Sequence, residues 1–255
     1  MPLTDIQADR IFDNMLSRVE AKLGRKILTN FNKLSLLIRD VINNGGELVT
    51  SIVIIENQRE LERILIESYE EAIAGGVKFT HQDLQIEEPD EDNLNELLIL
   101  LLLWRIDTAQ RQARFLTQTT IDLFEKAYAE GQAKGLFGED LSNFTVRKIS
   151  RLNRSRVTVI ATTESNSAIQ KGSEQAALRI EAELLKRWRS QGDRRVRSTH
   201  RRANNRYRSN PIPLNQDFEV GTGHGPYPLA PTLPSEEIIA CRCYLRHVLP
   251  KLPEA

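Results

Sequence analysis

Between Asp5 and Val41, apolar side chains return every three or four positions: Ile11, Met15, Val19, Leu23, Ile27, Phe31, Leu34, Ile38 and Val41. Steps of that size lay them along one stripe of an α-helix, whereas a strand, with its period of two, would scatter them over both faces. The chain therefore opens with a long helix that must bury one side against other elements. Asn43-Asn44-Gly45-Gly46 reads as its stop, because glycine readily takes the left-handed conformation that closes a helix.

The same periodicity predicts a second helix over 47–74, with Ile54, Leu61, Ile64, Leu65 and Tyr69 inward and its end at Gly75-Gly76. The short segment Val77–His81 reads as extended. Beyond the acidic loop around Pro89, a third helix is expected from Asp92 or Asn93, both good N-caps, to about Lys134 before Gly135. At 1.5 Å per residue it forms a rod of about 60 Å, with Gly131 as a point of bending. Leu97–Leu103 is apolar on every face, which places it at the centre of a bundle or against another chain.

With 255 residues, 40% hydrophobic and 27% charged, the chain can bury a real core and is not of disordered composition. Formal net charge is zero, but its distribution is uneven. Acidic residues dominate Glu56–Glu96, while Lys186–Arg208 holds ten Lys/Arg against Asp193 alone. Such asymmetry points to two surfaces with different partners. The N-terminus has no basic segment followed by an apolar core, so no secretory signal is read there. The most apolar run, Leu97–Trp104, falls short of the roughly 20 residues a membrane-spanning helix needs. No membrane partner is expected.

Composition shifts at Gly135-Leu-Phe-Gly138. Helices are expected over 143–154, 157–189 and 193–204. Pro and Gly then recur from Pro211 to Pro234, where regular helix is excluded. Phe218–Gly221 and Ile238–Leu245 are expected to pair as short strands. The fold class is thus mainly α, with a long helical N-terminal arm or bundle (1–138) and a small α+β C-terminal domain (139–255).

That last part holds the unusual chemistry. His200, Cys241 and Cys243 supply an imidazole and two thiols, three of the four ligands of a tetrahedral zinc site, with Asp193, Glu164 or His224 as the fourth. Spacing argues the other way. Cysteines at i and i+2 of a strand share a face but stand about 7 Å apart, too far for an easy disulfide or comfortable chelation unless a bend intervenes. The lack of a disulfide framework suits a reducing compartment. The alternative is a structural polar cluster of Glu164, Asp193, Arg197 and His200, with both cysteines as buried filler. A catalytic Cys/His/Asp set, or a metal-dependent nuclease or transferase using the His/Cys/Glu cluster, is a further alternative. No nucleophile stands at a helix N-terminus or Gly-rich elbow, and no catalytic residue is assigned. Arg187, Arg189, Arg194, Arg195, Arg201, Arg202, Arg206 and Arg208 carry guanidinium forks suited to phosphate, so double-stranded DNA or an acidic protein surface is the expected partner.

Several of these words stand in a familiar order. Ile160-Ala-Thr-Thr163-Glu164 is followed by Ala168, Gly172 and Ala176 at four-residue steps, which make a groove for close approach of another element. Then come Lys186-Arg-Trp188, Asp193-Arg-Arg-Val196-Arg197-Ser-Thr-His200, Phe218-Glu-Val220-Gly221 and Ala240-Cys241-Arg242-Cys243. In order and spacing this resembles the C-terminal domain of the Mu F-like family of phage head morphogenesis proteins, over residues 143–247. The departure is Ala240, where the family pattern has Asn. The resemblance implies a minor head protein of a tailed phage or prophage, associated with the portal and acting in head assembly and DNA packaging or delivery. It implies portal, capsid or scaffold proteins as partners, and a place in the virion after assembly in the host cytoplasm. It implies binding rather than turnover, and no cofactor beyond the zinc considered above.

Overall fold

The computed structural model describes residues 3–44 and 51–250. In chain order the elements are α1 (Asp5–Asn43), α2 (Ser51–Leu84), α3 (Glu91–Leu100), α4 (Leu102–Ala133), α5 (Gly138–Ala177), β1 (Leu185–Arg189), α6 (Ser198–Ser209), β2 (Ile212–Pro213), β3 (Phe218–Val220), β4 (Gly223–Gly225), α7 (Ser235–Ile238) and β5 (Tyr244–Val248). The protein is mainly α, with a small α+β part at its C-terminal end, as the sequence predicts.

The stripe of α1 is real but lies slightly rotated from its expected position. Val19, Leu23, Ile27, Phe31, Leu34 and Ile38 are buried, whereas Ile11, Met15 and Val41 are only half-buried beside the fully covered Ala8, Phe12, Leu16 and Ile42. Gly45, Gly46 and the expected start of the second helix at 47–50 lie outside the described residues, as does the side chain of Ile54. Leu61, Ile64, Leu65 and Tyr69 are buried.

Helix α2 does not end at Gly75-Gly76, and Val77–His81 is helical rather than extended. The glycines serve packing instead. A Cβ on Gly76 would stand 2.0 Å from the Ile169 carbonyl oxygen of α5, and one on Gly172 would stand 2.2 Å from the Ile73 carbonyl oxygen of α2. The two backbones meet at the groove formed by Ala168, Gly172 and Ala176.

The expected single third helix is two. Asp90 caps α3 by accepting from Asn93 N–H at 2.8 Å. The helix stops at Leu101, and α4 continues through the buried Gly131 to Ala133. Residues 97–104 contain neither Gly nor Pro, so local chemistry carries no signal for this break, and the unbroken rod is not formed. Leu97 and Leu101 are buried, while Ile99, Leu100, Leu102 and Leu103 are exposed.

Residues 143–177 belong to one helix, α5, which starts at Gly138. The expected continuation to Arg189 is replaced by turns and then β1, where burial alternates because Lys186 and Trp188 face inward between half-exposed neighbours. The helix expected over 193–204 is α6, displaced to Ser198–Ser209. The pairing of Phe218–Gly221 with Ile238–Leu245 also gives way. β3 pairs antiparallel with β4, whereas β5 pairs antiparallel with β1 in a sheet of order β2-β1-β5.

The chain divides into two compact units, Met1–Glu20 with Ser68–Leu101 and Val159–Ala255, and Ala21–Glu67 with Leu102–Thr158. Residue 138, the expected boundary, falls within the second unit, and α1, α2 and α5 each contribute to both. The second unit is helical, with a core of Leu34, Ile38, Ile42, Phe124, Ala127, Leu141 and Ile149.

The first unit carries the sheet. Phe12 stacks on Tyr244 of β5 with ring centroids 4.2 Å apart, and Phe79 meets both rings edge-on. Polar contacts hold the start of α1 and the end of α2 to the same strand: Tyr244 Oη donates to Asp9 at 2.6 Å, and Arg246 donates to Asp5 at 2.5 Å and to Asp83 of α2 at 2.6 Å. On the other side of β5, Leu245 N–H donates to Gln170 Oε1 of α5 at 2.7 Å.

Candidate metal centre

His200 sits in the first turn of α6, on the buried stripe it shares with Ala203 and Tyr207. Trp188 of β1 meets its ring edge-on at 5.3 Å. The two cysteines lie in the irregular segment between α7 and β5, and neither is in a disulfide. That placement removes the spacing objection raised by a regular strand. Ala240 adopts φ 55°, in the left-handed region, and Cys241 N–H donates back to the Ile238 carbonyl at 3.0 Å. The resulting bend turns both sulfurs to one point, with Cys243 N–H 3.4 Å from Cys241 Sγ.

Helix α5 fixes that bend from below. Thr163 Oγ1 accepts from Ala240 N–H at 2.9 Å. The Asn166 amide donates to the carbonyls of Cys241 and Cys243 at 3.0 and 2.9 Å, and Gln170 Nε2 donates to Asn166 Oδ1 at 2.7 Å. Spacings of three and four residues put these side chains on one helix face. The left-handed backbone at Ala240 is one that Asn or Gly tolerates better than Ala does.

His200 Nδ1 lies 3.2 Å from Cys243 Sγ and 3.5 Å from Cys241 Sγ, and the three ligand atoms all fall within 4.8 Å of one another. Ligand bonds of about 2.3 Å to sulfur and about 2.0 Å to nitrogen, at tetrahedral angles, put N and S about 3.5 Å apart. The observed separations are close to that. A single Nδ1–H can satisfy one sulfur well, whereas a cation between them satisfies all three atoms. His200, Cys241 and Cys243 can therefore hold a metal ion. All three are almost wholly buried, at 1%, 2% and 2% exposure.

Burial pushes the Cys241 thiol up, but its bonds to Cys243 and His200 outweigh this and bring it down to about 5. The Cys243 thiol is pushed well above its ordinary value by burial and by the adjacent Cys241 sulfur. The two thiols are thus shifted in opposite directions.

Sequence reasoning missed the carboxylate of this site. Glu237 of α7 is buried, and its Oε2 lies 2.8 Å from His200 Nε2, an ion-pair contact turned off the line of a straight N–H···O bond. Thr199 Oγ1 donates to the same oxygen at 2.9 Å. Asn166 and Gln170 were missed as well. Polar residues interleaved with Ala168 and Gly172 on a buried helix face are a signal, since they must find partners there.

The proposed fourth ligands do not join the group. Glu164 accepts from Tyr69 Oη at 2.5 Å, Asp193 is held by Arg195 and Arg242, and His224 is exposed on β4. The single polar cluster of Glu164, Asp193, Arg197 and His200 is likewise dispersed. Arg197 donates to the Ile239 carbonyl at 2.5 Å rather than to Asp193 or Glu164.

The basic segment is not one surface. Arg187 and Arg189 belong to β1, Arg187 half-buried beside Arg246, and Arg189 paired with Asp5 and Asp9. Arg195, Arg206 and Arg208 pair with Asp193, Glu219 and Asp5. Arg194, Arg201 and Arg202 are exposed.

Comparison with protein-family models, with curated proteins and with solved structures finds no match in any of the three. No helix among the described residues is long and apolar enough to cross a membrane.

Proposed function

We propose that this chain is a minor head protein of a tailed phage or prophage, acting by binding at the portal vertex in head assembly and in DNA packaging or delivery. We also propose that His200, Cys241 and Cys243 hold zinc within its C-terminal part. The observation that carries this reading is the convergence of the words that resemble the Mu F-like family. Thr163 holds the backbone at Ala240, Trp188 packs on His200, His200 faces Cys241 and Cys243, and Asp193 bonds Arg242. Segments up to about eighty residues apart thus build one centre, as parts of a single inherited domain do.

All three ligands are almost wholly buried, so substrate has no open path to the ion, and this favours a structural role although three ligands leave a fourth position unfilled. Portal, capsid or scaffold proteins are the partners of this reading, and the virion is its site of action. Double-stranded DNA suits the exposed Arg194, Arg201 and Arg202, in which case binding weakens steeply with salt.

Quantitative mass spectrometry of purified DNA-filled particles tests the role. The chain is expected in them at low copy relative to the major capsid protein, and its absence would overturn the reading. Elemental analysis tests the metal: one equivalent of zinc in the native protein, lost in Cys241→Ser.

A further inference from the structure

We propose that Glu237 is the positioning residue of the metal centre, holding His200 in the tautomer that offers its Nδ1 lone pair to the ion. This deepens the zinc reading above and rests on it. For Nδ1 to bind a cation, the ring proton must sit on Nε2, and Glu237 Oε2 lies 2.8 Å from Nε2, close enough to attract that proton although off the line of a straight N–H···O bond. A carboxylate on the outer nitrogen of a metal-binding histidine fixes the ring's orientation and strengthens it as a ligand.

The surroundings are shaped for that carboxylate. Thr199, the residue before His200, donates its hydroxyl to the same oxygen at 2.9 Å. The other oxygen rests against Gly221, which has φ 61°, and a Cβ there would stand 2.2 Å from Glu237 Oε1. Gly221 closes Phe218-Glu-Val-Gly, a segment with no atom in the metal group itself. Its missing side chain leaves the space that Glu237 occupies, while its positive φ serves the two-residue turn between β3 and β4. Three separate stretches, at 199–200, 221 and 237, therefore meet at one carboxylate beside Nε2.

Charge points the same way. Zinc with two thiolates is neutral, and a neutral imidazole leaves it so. In so dry a site, the carboxylate beside Nε2 draws its proton outward and leaves electron density on Nδ1.

The test is zinc affinity by competition with a chromophoric chelator, on full-length native protein and on Glu237→Gln, together with the visible spectrum of the cobalt-substituted forms. The variant is expected to bind one zinc about 10–100-fold more weakly. Its cobalt bands should shift, and its metal-free melting temperature should match the native one. A merely structural role would lower the metal-free stability and leave affinity and spectrum alone. Affinity within about twofold of native overturns the positioning role while the zinc reading stands. Absence of zinc from the native protein removes both. Should Glu237→Gln fail to fold, Thr199→Val leaves the carboxylate in place but unanchored. A several-fold loss of affinity is expected there, and an unchanged value overturns the proposal.

Discussion

Adjacent glycines in α2 should respond in opposite directions to the same substitution. At Gly76 a new Cβ meets the Ile169 carbonyl oxygen at 2.0 Å and Ser173 N at 3.0 Å, all backbone of another helix. No rotamer change relieves such a clash. To reach an ordinary 3.4 Å contact the helices must part by about 1.4 Å, along a seam where Ile73, Val77, Ala168 and Ile169 are buried. Overpacking of this kind costs about 1–3 kcal/mol, and two rigid backbones place it at the upper end. Replacing a mid-helix glycine by alanine returns only about 0.5–1 kcal/mol. Gly76→Ala should therefore lose about 2 kcal/mol. At Gly75 the new Cβ meets only the Met15 side chain, with Sδ at 3.0 Å, and a flexible thioether can move aside. Gly75→Ala should range from neutral to about 1 kcal/mol more stable. Urea denaturation followed by Trp188 fluorescence in a Trp104→Phe background reads the unit concerned, with unchanged m-values as the control. A native-like midpoint for Gly76→Ala, or equal losses at both sites, would refute the close approach of α2 and α5.

Ala240→Asn should raise the stability of the metal-loaded protein by about 0.5 kcal/mol and Ala240→Gly by up to about 1 kcal/mol, because both tolerate the left-handed backbone that alanine resists; a loss in both, read by thermal melting, contradicts the bend. Asn166→Ala leaves the carbonyls of Cys241 and Cys243 without their shared donor, so chemical denaturation should show a loss of about 2–4 kcal/mol. Burial, aided by Lys186, depresses the pKa of His247 from 6.5 to about 3. The unfolded chain then takes up a proton that the folded one refuses, so this contribution to stability is complete above pH 6.5 and drains away as pH falls towards 3. Denaturation midpoints of His247→Gln should show a shallower decline over that window; a decline parallel to the native one would exclude this histidine as its cause.

Periodicity made α1 legible because one stripe persists for ten turns, and it made Leu61–Tyr69 legible for the same reason. It failed where glycine has two meanings. Gly75-Gly76 looks like a stop, but the partner backbone that makes it a contact lies about ninety residues away in α5. Lys186-Arg-Trp188 read as helix because its neighbours are helix formers, yet two residues of alternating burial suffice for a strand once β5 is there to pair with it. The residues able to hold a metal were legible as residue types but not as a geometry. Regular-strand reasoning kept Cys241 and Cys243 apart, and only the left-handed Ala240 brings them together. Glu237 left no mark at all, since glutamate in a short acidic stretch ordinarily faces water.

The placement of the centre also decides what an ion there can hold. Cys243 is followed directly by β5, so loss of metal could be thought to release the whole C-terminal strand. The strand has anchors of its own: full pairing with β1, the Gln170 bond to Leu245, and the buried Arg246–Asp83 pair. The segment from Glu237 to Cys243 has fewer, chiefly Asn166, Thr163 and Arg197 on its backbone. Local opening follows the weakest set of contacts. Hydrogen exchange after zinc chelation should therefore lose protection at 237–243 and in the first turn of α6, while 244–248 and the start of α1 stay protected. Simultaneous loss in all four regions would mean that the ion, and not the sheet and its arginine, fastens the C-terminal strand.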